Sequence, residues 1–322
     1  MKWRPKPWLV VLVVAAVASA VAAGVVAARR TPPVQRLIIA AGGQGGVYYA
    51  YGQGLATAAR AAYPGVRTEV RATAASVENL RMVAAGEADV GFALADSAAQ
   101  AIAGREPFER AQPVRALAWL YDNYTQLVVR ADSPVHAVTD LRGLAVSTGA
   151  VGSGTDLFAG RVLLAAGLSP DQDVRRSSMD LAESAQALRD GRIAAFFFSG
   201  GLPTPAITQL AADIPMRLVD LAGFVPGLRT SYGDFYTERS IPATTYGLGH
   251  ETATIGVPNF LVVREDMPEA TAYALTRLLF TAKPTLVAAH PEALHLDQRA
   301  ALDTFPLRLH PGAARYYREA KP

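Results

Sequence analysis

A strand-like run, Leu37-Ile38-Ile39-Ala40-Ala41, passes straight into Gly42-Gly43-Gln44-Gly45-Gly46-Val47-Tyr48-Tyr49, which opens a helix-like segment reaching Tyr63. A glycine-rich turn between strand and helix leaves bare N–H groups at the helix's positive end. Such a turn holds an anionic group with no help from lysine or arginine. The chain should therefore hold a βα unit whose turn is a candidate binding element.

The alternation continues. Strands are expected over 67–71, 88–94, 116–120, 125–130, 144–148 and 194–199, the last wholly apolar until its terminal serine. Helices are expected over 76–85, 97–103, 155–166 and 179–189, and Gly86, Gly167 and Gly191 stop three of them. Strands alternating with helices argue for an α/β architecture of parallel sheets covered by helices. The segment 229–251 breaks the pattern with Gly, Tyr, Ser and Thr, as a passage lining a site or crossing between domains does. A strand over 259–263 and one long helix over 269–289 follow it.

Ahead of the βα unit, Lys2, Arg4 and Lys6 precede an uncharged, mostly apolar run over 8–28 that closes on Arg29-Arg30. This is an export signal, and its apolar run is long enough to span a bilayer. Two outcomes stay open for residues 1–30, cleavage at Ala18-Ser19-Ala20 or retention as an uncleaved membrane anchor; the length favours the anchor. Either way, residues 31 onward are expected outside the cytoplasmic membrane. The net charge of +3 comes from this segment, because the remainder carries 26 basic and 28 acidic residues, a net charge of −2. Nucleic acid is therefore not an expected partner. With no cysteine anywhere, disulfides, thiolate metal sites and a lipidated tether are excluded.

Four helix starts share one design: 42–49, 73–79 with Ser76 as N-cap, 147–155, and 177–180. Facing each other across two lobes, they would enclose a small anion. The amides would bind its carboxylate, Tyr48 would pack on its body, and Ser76 and Thr155 would supply hydroxyls. Enzyme signatures fail by comparison. Gly43-Gln44-Gly45 lacks the third glycine of a dinucleotide fingerprint, and 149–155 has P-loop spacing with Gly154 where lysine belongs. Ser153 has Val151 and Thr155 at the two positions where a nucleophile elbow needs glycines, and no HExxH exists. No catalytic residue, metal or cofactor is expected. A secreted serine hydrolase using Ser153 and an anchored ligand-sensing domain stand as alternatives.

These residues resemble the TAXI-type solute-binding proteins of TRAP transporters. The resemblance spans roughly residues 36–319. It rests on Gly-Gly-Val-Tyr-Tyr at 45–49, Ala75-Ser76-Val77-Glu78-Asn79-Leu80, Gly86-Glu87-Ala88-Asp89, Leu141-Arg142-Gly143 and Gly152-Ser153-Gly154-Thr155. Residues 197–203, 241–246 and Leu309-His310-Pro311-Gly312-Ala313 extend it.

The resemblance implies a two-lobed periplasmic-binding-protein fold of type II, each lobe a mixed, mostly parallel sheet flanked by helices. Lobe I would comprise 31–124 plus 254–322, and lobe II 125–253. It implies a monomer that delivers a small amino or oxo acid, such as glutamate, glutamine or 2-oxoglutarate, to a TRAP-type permease. The binding candidates it carries over are Gly46, Val47, Tyr48 and Ser76, then Ser153, Gly154 and Thr155, then Gly200, Gly201, Thr244 and Tyr246. Leu94 stands near a position where many members carry a polar residue, often Gln, which implies a more apolar pocket and a different ligand.

Overall fold

The computed structural model describes residues 35–320. The segment read as signal or anchor lies outside them. Among the described residues no helix is long and apolar enough to cross a membrane.

The first half alternates strictly: β1 (Arg36–Ala40), α1 (Val47–Ala62), β2 (Arg67–Arg71), α2 (Ser76–Ala85), β3 (Val90–Leu94) and α3 (Ala95–Ala103). A 17-residue strand, β4 (Val114–Arg130), leads into the second half. There β5 (Ala145–Ser147), α4 (Gly154–Ala165), β6 (Arg175–Ser177), α5 (Leu181–Arg189), β7 (Ala195–Gly200), α6 (Pro205–Asp213), β8 (Met216–Val219), α7 (Val225–Tyr232) and β9 (Thr237–Ile241) follow. The chain returns through β10 (Thr252–Arg264) to α8 (Glu269–Thr281), α9 (Lys283–Ala289) and α10 (Pro311–Glu319).

All ten strands join one sheet in the order β2-β1-β3-β10-β4-β7-β5-β6, with β8 on β4 and β9 on β10. Pairing is parallel among β1, β2 and β3 and among β5, β6 and β7. It is antiparallel wherever β4 or β10 takes part. These two long strands pair with each other from Val114↔Arg264 to Tyr124↔Gly256 and reach into both halves. They are the shared spine of a two-lobed α/β fold.

Three apolar clusters fill it. One buries Tyr51, Leu55, Tyr121, Leu275 and Tyr317 beneath α1, α8 and α10. Another, with Leu188, Phe196, Ile207 and Leu218, lies in the second half. The third runs through both halves and packs Leu80 and Leu94 with Phe158, Val162 and Phe235. Burying such side chains contributes roughly 1.5–3 kcal/mol each, so this shared cluster holds the halves together on one side.

Several expectations change. The strands expected at 116–120 and 125–130 are one strand, because Asp122 and Asn123, poor strand formers, are held in register against Pro258 and Val257. The strand expected at 259–263 begins seven residues earlier, at Thr252; Pro258, which cannot donate to a ladder, is tolerated beside a register shift at Asn259/Phe260. The helix expected over 269–289 breaks at Ala282, since Pro284 in the first turn of α9 cannot donate back along the helix. Ser76 is not an N-cap: Ala75 caps α2 without a side-chain bond, and Ser76 is the first helical residue.

Candidate functional site

The turn after β1 and the starts of α2, α4 and α5 converge on a cavity of about 750 Å³ between the two halves. One wall is Gly42, Gly43, Gln44, Gly46, Val47 and Tyr48 with residues 72–75 and Glu78. The other is residues 149–151, Ser153, Thr155 and residues 178–184, with Phe197, Phe198, Ser199 and Gly200 between them. Both walls lie beyond the carboxyl ends of the parallel strands, where open α/β sheets take their ligands.

Local sequence explains each wall. Gly45 has φ +86°, which glycine adopts without a Cβ penalty, and it bends the first turn into α1. Ala75, at φ +95° and ψ −136°, adopts an uncommon conformation for a residue with a Cβ, just where the chain lines the cavity. Ser153 caps α4 by accepting from Asp156 N at 2.9 Å. Asp180 and Glu183 cap α5 reciprocally, at 2.8 and 3.2 Å.

Tyr48 stacks on Phe92 with ring centroids 5.1 Å apart. Its phenol oxygen accepts from Asn123 Nδ2 at 3.3 Å. Burial raises the phenol's pKa, against the opposing pull of hydrogen bonds to Ser76 and Asn123. Thr155 Oγ1 accepts from Ser199 N at 3.1 Å, tying the start of α4 to the end of β7. Glu78 N donates to Gly152 O at 3.1 Å, a direct backbone bond from the start of α2 to the opposite wall.

Of the eleven residues singled out in the sequence, Gly46, Val47, Tyr48, Ser153, Thr155 and Gly200 line the cavity. Ser76 and Gly154 sit beneath it, where Ser76 Oγ accepts from Leu94 N at 3.1 Å. Leu94 packs there too, against Gly154 and outside the lining. Gly201 faces Glu292. Thr244 is exposed in a short 3-10 turn. Tyr246 is buried in the second half, with its hydroxyl accepting from Thr204 N at 3.1 Å.

Sequence reasoning passed over the charged side chains of the cavity. Glu78, Asp180 and Glu183 line it, and among the described residues no lysine, arginine or histidine does. All three lie in or at first helical turns, where an acidic residue reads as an ordinary capping or dipole partner. Ser153 therefore has no histidine in the cavity to act as its base.

Two α/β halves, joined by two shared strands and enclosing a cavity between helix starts, form a periplasmic-binding-protein-like fold. The chain belongs to the NMT1-like family, whose profile matches residues 39–320. A protein from Bordetella bronchiseptica RB50 has the same fold, at 18% identity and a TM-score of 0.51 over 90% of this chain and 91% of that one. The periplasmic aliphatic sulphonate binding protein SsuA from Escherichia coli is 16% identical over 89% of this chain and 84% of its own, with a TM-score of 0.47. An ancestral arginine-binding protein bound to arginine is 14% identical over 80% and 98%, with a TM-score of 0.48.

Proposed function

We propose that this protein is an extracytoplasmic receptor, acting as a monomer, that closes on a small carboxylate-bearing solute and presents it to a TRAP-type membrane permease. One observation carries the reading: four helix N-termini from both halves converge on one cavity. Each N-terminus amounts to about half a positive charge, so together they suit a carboxylate. Hydrogen bonds to a charged group contribute roughly 1.5–3 kcal/mol each, and a micromolar complex needs about 8 kcal/mol. Three or four donors meet that.

In this reading the lobes are 31–124 plus 254–322 and 125–253, with the boundaries inside β4 and at β10. Support for those boundaries comes from Thr254 Oγ1 donating to Thr125 O where the strands cross. Gly46, Val47, Tyr48, Ser153, Thr155 and Gly200 form the solute's surroundings. The TRAP assignment rests on the sequence resemblance, and an outward-facing anchor over 8–28 fits it. Hinge closure of two lobes around a ligand is the expected motion.

The test is thermal unfolding of the full chain with amino acids, oxo acids and dicarboxylates. A true solute at 100 times its Kd adds about 2.7 kcal/mol of stability. A flat panel at millimolar concentration would remove the carboxylate reading. Co-purification with a TRAP permease, against an ABC permease as control, tests the partner.

A further inference from the structure

We propose that the solute is a zwitterion, an amino acid with one carboxylate and no second acidic group, and that Glu78 is the residue that selects it. This rests on the carboxylate-receptor reading above and narrows it.

The walls of the cavity are electrically lopsided. Three carboxylates line it, from Glu78, Asp180 and Glu183, with no cationic side chain among the described residues to offset them. The positive features among the described residues of the lining are backbone amides at the helix starts, which suit one carboxylate. A second carboxylate on the solute would face acidic side chains on either wall, and like-charge juxtaposition is a common device for rejecting a wrong partner. Glu78 is the most enclosed of the three: it is half-buried, while Asp180 and Glu183 are exposed at the rim. One of its oxygens accepts from Ala74 N, and the hydrogen bond holds the carboxylate against the first wall.

An independent observation comes from the polar groups beneath the cavity. Ser199 lines it with 8% exposure, and its Oγ has no partner. Asn123, 1% exposed, directs Nδ2 toward Ser199 O at 3.5 Å. A carbonyl only accepts, so this contact orients the amide and leaves Oδ1 as the unpartnered atom. Of these unpartnered atoms Ser199 Oγ is the one that lines the cavity, and a solute ammonium or amide beside it would satisfy it. Acidic walls and an unused acceptor both call for a donor-bearing, net-neutral solute. The cavity volume lies within the usual range for small-molecule sites, roughly 300–1,000 Å³.

Calorimetric titration of the full chain decides it, with L-alanine, L-leucine, L-glutamine and L-phenylalanine set against L-glutamate, 2-oxoglutarate and succinate. The tightest neutral amino acid should bind at least about tenfold more tightly than any of the three acidic solutes, the scale of a single like-charge contact. Glu78→Gln should shrink that ratio about threefold or more while the tightest neutral solute still binds. Should Glu78→Gln fail to fold, Glu78→Ala, which also removes the charge and is a strong helix former, gives the same readout. L-Glutamate or 2-oxoglutarate binding as tightly as every neutral amino acid, or a ratio unmoved by the substitution, overturns the proposal and leaves the carboxylate-receptor reading standing. If no solute of either kind binds, that underlying reading falls as well.

Discussion

Arg161 Nη1 lies 3.3 Å from Asp96 Oδ2, joining α4 in the second half of the sheet to the start of α3 in the first. The side chains are 5% and 0% exposed. The same guanidinium donates to Tyr236 OH at 2.6 Å and lies 4.3 Å from the Tyr232 ring centre. Burial raises the Asp96 carboxyl's pKa, against the Arg161 charge. This cluster ties the halves through charge as well as apolar contact.

Removing one member of such a pair leaves a buried charge uncompensated. Arg161→Leu should cost about 3–5 kcal/mol at neutral pH by chemical denaturation. The loss should shrink as pH falls and Asp96 takes up a proton, and adding Asp96→Asn should recover much of it. A single substitution costing under about 1 kcal/mol would mean the pair does not tie the halves.

Glu292 predicts a pH dependence. Its carboxylate accepts from Leu202 N and sits against Gly201, next to the cavity wall at Gly200. His295 Nε2 lies 3.6 Å away, and Asp122, Tyr51, Tyr121 and Tyr124 are within electrostatic reach. Burial pushes the carboxyl up from 4.5 to about 7, partly offset by the Leu202 hydrogen bond. Because the folded value lies above the unfolded one, Glu292 favours folding below pH 4.5, and that contribution is lost as pH rises through 7. Glu292→Gln should remove the dependence, making the variant more stable than the parent by about 3 kcal/mol at pH 8 relative to pH 4. Parallel stability curves for the two proteins across that window would refute the assignment.

Gly154 marks how closely the halves approach. A Cβ there would lie 2.7 Å from both Leu94 Cδ1 and Ser76 Oγ. Gly154→Val should wedge the walls apart, raising the radius of gyration in solution scattering and weakening solute binding about tenfold or more, as over-packing of a close contact does. Unchanged scattering and affinity would show that the contact yields without moving the walls.

Asn79 supports the site from below. Its amide donates to Ala41 O and to Phe92 O, and its carbonyl oxygen accepts from Thr73 Oγ1 at 2.6 Å. These bonds join the end of β1 and the middle of β3 to the turn before α2. Asn79→Leu should destabilise the fold by about 1–3 kcal/mol, the cost of leaving buried carbonyls unpaired. A neutral outcome in urea denaturation would show that water replaces the amide.

What the sequence by itself determined was mostly local. The expected strand at 67–71 and helix at 76–85 match β2 and α2 residue for residue, because Gly86 in the left-handed conformation stops the helix wherever it packs. The glycine-rich turn at 42–46 likewise announced a helix start at the cavity. Only the tertiary structure decided the rest. Pairing with β10 carries β4 through Asp122 and Asn123, and no local propensity encodes that partner. Tyr246 looked like a site residue, yet its hydroxyl is occupied by Thr204 N, 42 positions away in sequence. Glu78, Asp180 and Glu183 each read as a helix-start residue, and became one acidic lining when the sheet brought two helix starts, those of α2 and α5, to opposite walls of the same opening. Capping and turn signals act over a few residues, whereas the charge and shape of a cleft are sums over segments that meet only in the folded chain.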